Sequence, residues 1–434
     1  MAIGHARTGE HTRQVEMVCV DDLVGSDDPY RQIERLVQWQ AVRASAAPFY
    51  GEQGRPSVDP VVLVKLFLVA AVEGFGSMRQ TLRMAERDVS IRRFLGYGLS
   101  ERLPHHATLS YANCVRFAGS SIFEQLFTQV LAQCRERGLL DGRRIVVDAT
   151  HVEANAALAS LRAELSVLEG GDPQSESESE SESESESESE SESARRPALA
   201  LAEPRSGPTP KRRASNATAL SRSDPDAKLR HKPGQRPHLV HRAQVATDPK
   251  ARCIVAVRAE PATGHEGEAL EAIVERARWA RHEVAEVCAD QGYASDAVYR
   301  ALAARGVTAY IPPQRNMRHT TPGQEARKRC KSPPGVAAAI ERMTHGEGAI
   351  SELKLRHGLD RARCRGTPKL SVQLLLAATA INLKRLLSRP SAAEDGQAGD
   401  RGHRHAVIGR RLQILNACLR WLRRDEPAGS LTGS

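Results

Sequence analysis

Three carboxylates in separate parts of the chain have the types and settings that could do chemistry. Asp148 and Asp290 each end a short apolar run, and Glu347 opens a helical pattern that continues through Lys354. Carboxylates at the ends of two strands, with a third on a helix, can form an open, oxygen-lined site for Mg²⁺. Such a site suits phosphoryl transfer, in which two metal ions about 3.5–4 Å apart hold the attacking and leaving oxygens.

Each carboxylate also has an ordinary explanation. An aspartate after a strand is most often a cap or turn residue, and Glu347 competes with Glu341 and Glu352 as the acid of interest. Because a helix places residues three and seven apart on one side, Glu347, Ile350 and Lys354 share a face. Lys354 could therefore point at a phosphate held near Glu347, whereas a solvated helix with surface ion pairs is the alternative.

The hydrophobic patterns after residue 140 supply the elements that could bring these acids together. Predicted strands cover 145–147, 237–247, 252–258, 284–289 and 307–311, with a hairpin turn over 248–251. Predicted helices cover 267–282, 295–305 and the segment from Glu347 onward. This order favours an α/β fold, a mixed sheet with flanking helices.

The chain before residue 140 is predicted to be helical. Asp28 before Pro29 is typical of a capped helix start, and Pro60 stands at the first turn of a second helix. We therefore expect an all-α N-terminal domain over 1–140, with a role in DNA binding and assembly, and an α/β domain over 141–390.

A low-complexity segment interrupts the second domain. Ser and Glu alternate over 175–193, which cannot bury a core and repels itself. We expect a disordered insertion over about 170–235 and a polar tail over 391–434 with a possible helix at 407–424. The acidic tract either competes with DNA for basic residues or is a repeat expansion in a tolerant loop.

The charge balance favours a polyanionic partner. The net charge is +9, and removing the nine glutamates of the Ser-Glu tract leaves +18. A soluble protein rich in arginine is the other explanation. Lysines and arginines after Glu347 could contact a DNA backbone in a salt-dependent, sequence-independent way. These candidates are Lys354, Arg356, Arg363, Arg365 and Lys369.

Other classes of protein lack their signatures here. The eight cysteines have no zinc-site spacing, and neither a GxxxxGK[ST] loop nor a GxSxG elbow occurs. The N-terminus has no apolar signal core, and the apolar stretch over 58–72 is interrupted by Asp59 and Lys65. We expect a cytoplasmic protein with reduced thiols and no membrane span.

Taken together, these motifs resemble the bacterial insertion-sequence transposases of the DDE type, which have an RNase H-like catalytic domain after a helical N-terminal domain. The resemblance covers roughly residues 20–390, and the motifs follow the family's order. Short matching motifs lie at 54–60, 94–96, 103–110, 147–155, 224–227, 239–242 and 289–293, followed by Glu347 and Lys354 at the family's spacing.

The resemblance implies a DNA transposase that cleaves transposon ends and transfers the cut strands into target DNA. It assigns Asp148, Asp290 and Glu347 as catalytic ligands of two Mg²⁺ ions, with Mn²⁺ possible, and Lys354 as a contact to transposon-end DNA. It also implies a homodimer on double-stranded DNA, associated with the bacterial nucleoid. The chain departs from the family upstream of Glu347, where Met343 fills the usual Arg position and Arg342 lies one residue away.

Three alternatives remain open on the sequence. A metal-dependent nuclease would hydrolyse DNA without joining strands. A transposase-derived DNA-binding protein would bind DNA without using Asp148 or Asp290. An ordinary α/β protein would have no affinity for DNA at low salt.

Overall fold

A computed structural model describes residues 17–51, 53, 57–163, 219–230, 236–263, 266–280 and 283–388. The Ser-Glu tract and the helix expected at 407–424 lie outside the described residues. Within these ranges the chain begins with helices and continues as a sheet covered by helices.

In the described part of the chain, seven α-helices precede the first strand. Asp28 caps the first of them as predicted, and Asp59 caps the third, because their side chains accept hydrogen bonds from the first free backbone N–H groups. The third helix is buried over most of its length and forms the centre of this region. The helices are α1 Pro29–Leu36, α2 Trp39–Ala46, α3 Pro60–Val72, α4 Met78–Arg87, α5 Val89–Leu95, α6 His106–Tyr111 and α7 Ile122–Glu136.

In the rest of the described chain, six strands come first, strands and helices then alternate from α8 to β8, and four helices follow. The strands are β1 Arg144–Glu153, β2 Leu161–Ala163, β3 Ala219–Ser221, β4 Lys228–Arg230, β5 His238–Asp248, β6 Cys253–Pro261, β7 Glu286–Cys288 and β8 Thr308–Tyr310. The helices are α8 Glu266–Trp279, α9 Asp296–Ala304, α10 Thr321–Lys331, α11 Pro333–Glu341, α12 Glu347–His357 and α13 Thr367–Leu387.

Six strands form one mixed sheet in the order β4-β5-β1-β7-β8, with β6 also paired to β5. β5 is antiparallel to β1 and to β6, whereas β7 and β8 continue the sheet in parallel. The predicted hairpin over 237–258 is confirmed as β5 and β6. The expected α/β fold class, an RNase H-like mixed sheet with flanking helices after an all-α region, is confirmed.

The expected insertion extended too far towards the C-terminus, because residues 219–230 form ordered structure. Asp224 is fully buried, where its carboxylate pairs with His241 at 3.0 Å and accepts a hydrogen bond from the Gly366 N–H. Asp226 accepts hydrogen bonds from the backbone and hydroxyl of Thr367, at the start of α13. Buried carboxylates need such partners, which hold this segment in place.

One hydrophobic core runs from the N-terminal helices into the sheet, and α13 joins the two parts. Asn382 on this helix exchanges two hydrogen bonds of 2.8 Å with the backbone of Ile254, which satisfies the outer edge of β6. By length and composition α13 could cross a membrane, but 67% of its apolar window is buried inside the protein. That burial is typical of a core helix.

The helix that carries Glu347 packs against α3 at its C-terminal end. His357 is buried, and its Nδ1 donates a hydrogen bond of 2.7 Å to the carbonyl of Ala71. Gly74 has a φ of +71°, and a Cβ there would lie 2.4 Å from the carbonyl oxygen of Arg356. This close contact between backbones fixes α12 relative to the N-terminal helices.

We expect Gly74→Ala to lower the free energy of unfolding by about 2 kcal/mol or more, because the methyl group clashes with fixed backbone and the φ disfavours alanine. Gly76→Ala is the matched control, since a Cβ there meets nothing within 4 Å. Denaturant unfolding of both variants measures the effect. Equal midpoints would show that the contact at Gly74 does not fix α12.

The buried His357 should make the fold sensitive to acid. Burial lowers its pKa from 6.5 to about 4, so the unfolded chain takes up a proton before the folded one does. Stability contributed by neutral His357 is therefore present above pH 6.5 and is lost as the pH falls towards 4. We expect about 3 kcal/mol to be lost over this window.

Urea unfolding across the same pH window tests this. In His357→Gln, whose amide can still donate to the Ala71 carbonyl, the loss of stability should be much smaller. An identical pH dependence in the two proteins would contradict the assignment.

Candidate active site

Parallel pairing of β1 with β7 brings two of the predicted acids side by side. The register aligns Val146 with Cys288, and two further residues along each chain place Asp148 beside Asp290. Adjacent strands lie about 4.8 Å apart, and alternate residues share a face. Both carboxylates therefore start from the face of the sheet that Val146 and Cys288 occupy.

That face is covered by the helical segment that carries the third acid. Val146 and Cys288 pack against Ala338 of α11 in a small hydrophobic cluster. On the opposite face, Ile145 and Val147 belong to the main core. The alternation along β1 thus separates the main core from the face that carries the acids.

Glu347 lies within a continuous helix rather than at a free helix start. The five residues Arg342–Gly346 form a π-helical turn that joins α11 directly to α12. A π-turn spans one more residue than an α-turn. Arg342, five residues before Glu347, is therefore one full turn upstream, in the place that Met343 would take in an α-helix. Such turns occur frequently at functional sites.

A glycine lets this helix approach β1 closely. Gly346 is buried, and a Cβ there would lie 3.0 Å from Cγ1 of Val146 and 3.8 Å from Oδ2 of Asp148. A larger residue would push the helix off the strand. The glycine therefore places the backbone of Glu347 next to Asp148.

The charges of Asp290 and Glu347 act on the carboxylate of Asp148. Burial raises the pKa of Asp148 to about 6, against the lowering effects of the Ala149 N–H at 2.8 Å and of Arg342. The negative charges of Asp290 and Glu347 raise that pKa further. Negative charge is therefore concentrated where β1, β7 and the π-turn meet.

This site fits a divalent cation. Its donors are carboxylate oxygens, the ligands that hard cations such as Mg²⁺ and Mn²⁺ prefer. The half-buried carboxylate of Asp148 has a raised pKa and lies near two other acids, so a bound cation would stabilise its charged form. In the described part of the chain, no three acidic, His or Cys groups lie close enough to hold an ion as they stand. Asp148, Asp290 and Glu347 would hold it by turning their side chains inward.

An arginine that the sequence did not single out ties the frame of the site together. Arg144, at the start of β1, pairs with Glu286 of β7 at 2.5 Å and with Glu341 of α11 at 2.9 Å. Its guanidinium also lies 5.7 Å from the ring centre of Tyr310 on β8. Sequence spacing gives no sign of this role, because the partners lie far apart in the chain.

The predicted DNA contacts fall in different places. Lys354 faces β1, and its Nζ donates to the carbonyl of His151 at 2.9 Å. Arg356 is exposed on another side of α12. Arg365 is exposed near the end of β1 and donates to the carbonyl of Asn155, while Lys369 is half-buried in the first turn of α13.

Arg363 is placed differently from the expectation. Its guanidinium is directed towards the carbonyl of Ala70 in α3, at 3.4 Å, and burial lowers its pKa. A side chain packed between these elements does not reach a phosphate at the surface. The contacts of Arg363 in this structure are therefore within the protein, and its contact with DNA stays a prediction.

Two family models match the chain. The model described as "Transposase DDE domain" matches residues 139–383, and the one described as "Transposase domain (DUF772)" matches residues 18–113. No curated protein matches the chain. One similar solved structure is titled "Cryo-EM structure of piggyBac transposase synaptic complex with hairpin DNA (SNHP)". It has 9% identity and a TM-score of 0.38, over 91% of this chain and 80% of that one.

The first of these models spans more than half of the chain and includes Asp148, Asp290 and Glu347. The chain therefore belongs to the transposases with a DDE domain, and it is a DNA-binding enzyme of transposition that depends on divalent metal ions.

Proposed function

We propose that Asp148, Asp290 and Glu347 are the catalytic carboxylates with which this transposase cuts DNA at the ends of its element and joins them to target DNA. The observation that carries the proposal is the meeting of three chain segments. The pairing of β1 with β7 aligns the residues two positions before Asp148 and Asp290, and Gly346 lets the helix backbone before Glu347 approach Asp148.

The metal in this proposal is Mg²⁺, with Mn²⁺ as a substitute. Bound ions would supply the positive charge that stabilises the attacking and leaving oxygens of a phosphodiester during in-line displacement. The chain contributes the placement: Asp148 lies in the middle of β1, Asp290 follows the end of β7, and Glu347 is on a helix fixed at its far end by His357.

Basic residues beside the acids would position the DNA backbone. Lys354 lies on the same side of α12 as Glu347, so its ammonium group can exchange the His151 carbonyl for a phosphate of the transposon end. Arg342 lies one turn upstream of Glu347 and already lowers the pKa of Asp148. Arg356, Arg365 and Lys369 extend the basic surface around α12 and the start of α13.

The proposed reaction has two steps at one site. Water first displaces the 3′ oxygen at the end of the element, and the freed 3′ hydroxyl then attacks a phosphodiester of target DNA. Both steps require two ends to be held together, so we propose a homodimer on double-stranded DNA. We assign assembly and end binding to the helical region before residue 140, and we place the protein at the nucleoid in the bacterial cytoplasm.

We expect Asp148→Asn and Asp290→Asn each to reduce metal-dependent nicking of end DNA below detection. The amide keeps the size of the side chain but removes the charge that binds the metal. Binding of the end DNA should stay close to that of the wild type. Asp22→Asn, in an exposed loop, is the matched control.

A nicking assay on DNA that carries the element's own ends, with a second duplex present as target, provides the measurement. Joined products separate a transposase from a nuclease. Nicking retained by either variant would remove that aspartate from the site.

The close approach at Gly346 gives an independent test. We expect Gly346→Val to slow nicking by about 10- to 100-fold, because the added side chain separates Glu347 from Asp148 by several tenths of an ångström or more. Gly348→Ala is the control on the same helix, since a Cβ there meets only Nη1 of Arg252 at 3.6 Å.

Single-turnover nicking rates compare the two variants, and thermal unfolding shows whether each is folded. A folded Gly346→Val protein with the wild-type rate would mean that catalysis does not need this approach of helix to strand.

A further inference from the structure

We propose that a basic cleft beside α12 binds the phosphate backbone of target DNA, as a duplex held independently of its sequence. This inference rests on the proposed function, because it assigns the second DNA that strand transfer needs. We call this feature the rear cleft; its volume is about 800 Å³. Its charged walls are formed by Lys250, Arg252, Glu352, Arg356, Lys384 and Arg385.

The rear cleft carries a strong excess of positive charge. Its lining includes five Lys or Arg residues and a single acid, Glu352. That acid is already paired with Arg385, so its charge is compensated within the protein. Lys384 donates to the carbonyl of Val72 and forms part of the wall. The other three cations, Lys250, Arg252 and Arg356, face solvent. Their charge is complementary to that of a polyanion.

Two of these cations are available to a ligand without loss of an existing contact. Lys250 and Arg356 are exposed. Among the described residues, neither side chain has a hydrogen-bond or ion-pair partner. Lysine and arginine side chains of this kind contact phosphates and carry little sequence information. The cleft is therefore suited to a duplex of any sequence.

Arg252 provides a second, independent observation. It is the one non-glycine residue with positive φ in the described part of the chain, at +58° in the turn between β5 and β6. Glycine or asparagine normally takes such a position, because a Cβ strains the backbone there. An arginine with a strained backbone φ indicates that its side chain has a function at this position.

The side chain of Arg252 extends over α12 towards the cleft. Its Nε donates to Nδ1 of His345 at 3.1 Å, and its Nη1 lies 3.6 Å from where a Cβ on Gly348 would be. The guanidinium is therefore held at the wall of the cleft while the residue as a whole remains exposed. This pre-positioning reduces the entropy lost when the arginine binds a phosphate.

The cleft adjoins the face of α12 that carries Glu347 and Lys354. Lys354 reaches β1, whereas Ser351, Glu352 and Leu355 line the rear cleft. Ser351 lies one helical turn after Glu347, so a duplex backbone held in the cleft would run beside the phosphodiester at the acids. Strand transfer requires both to be bound at once, which makes the target duplex the fitting occupant.

The test removes two cleft cations and measures binding of a random-sequence duplex across salt concentrations. Lys250→Gln/Arg252→Gln should weaken binding about tenfold or more at low salt and reduce the salt slope by about 1–2. The control Arg300→Gln/Lys328→Gln removes the same charge from exposed positions on α9 and α10 and should have a much smaller effect. An unchanged slope in the cleft variant would overturn the proposal.

Arg252→Gly distinguishes function from structure in the same cleft. Relief of the positive φ should raise the Tm by about 1–3 °C, while the lost guanidinium weakens duplex binding. A structural arginine would give the opposite result, with a lower Tm and unchanged binding. That result would overturn the proposal.

A joining assay with pre-cut end DNA identifies the occupant. If the cleft holds target DNA, Lys250→Gln/Arg252→Gln should lower joining at limiting target by about tenfold and affect end binding less. The variant could instead lose end binding to the same extent and join normally once end DNA is saturating. That result would assign the cleft to the transposon end and overturn the target assignment.

The proposed function and the cleft can fail separately. If the wild type shows no metal-dependent nicking but Lys250→Gln/Arg252→Gln loses duplex binding, the proposed catalytic function is rejected. The cleft then remains a DNA-binding site. Nicking that disappears in Asp290→Asn, with duplex binding unchanged in the cleft variant, would reject the cleft alone.

Discussion

The partial burial of the Asp148 carboxylate on a central strand, with the charges of Asp290 and Glu347 nearby, is the constraint on which this site depends. Burial and the neighbouring negative charges raise the pKa of Asp148 to about 6, so the arrangement is costly without a cation. The surrounding contacts oppose that cost. Arg144 ties β1, β7 and α11 together through two ion pairs, and Gly346 lets the helix stay close to the strand. Bound metal ions would offset the electrostatic cost of these carboxylates.

The helix α12 connects this site with the rest of the protein. Lys354 contacts β1, neighbouring residues of the helix line the rear cleft, and the C-terminal end is fixed to α3 through His357 and Gly74. A change at any of these contacts would therefore reach the acids through a short helix.

Much of this fold could be predicted from the sequence, because the cap at Asp28, Pro60 at the first turn of a helix and the alternating hairpin after residue 237 are local signals. Asp148 and Asp290 could be selected because each follows a β-rich run. The π-turn at 342–346 could not be predicted, since hydrophobic periodicity does not register one additional residue per turn. The burial of Arg363 and the order at 219–230 depend on partners far along the chain, which composition does not reveal.

The central claim is that Glu347 shares a metal site with Asp148 and Asp290, and it is tested most directly by titrating Mn²⁺ into the complex with end DNA. Glu347→Gln should bind the metal far more weakly than the wild type. Glu352→Gln, which alters an acid on the other side of the same helix, should bind it normally. Wild-type affinity in Glu347→Gln, or lost affinity in Glu352→Gln, would contradict the account.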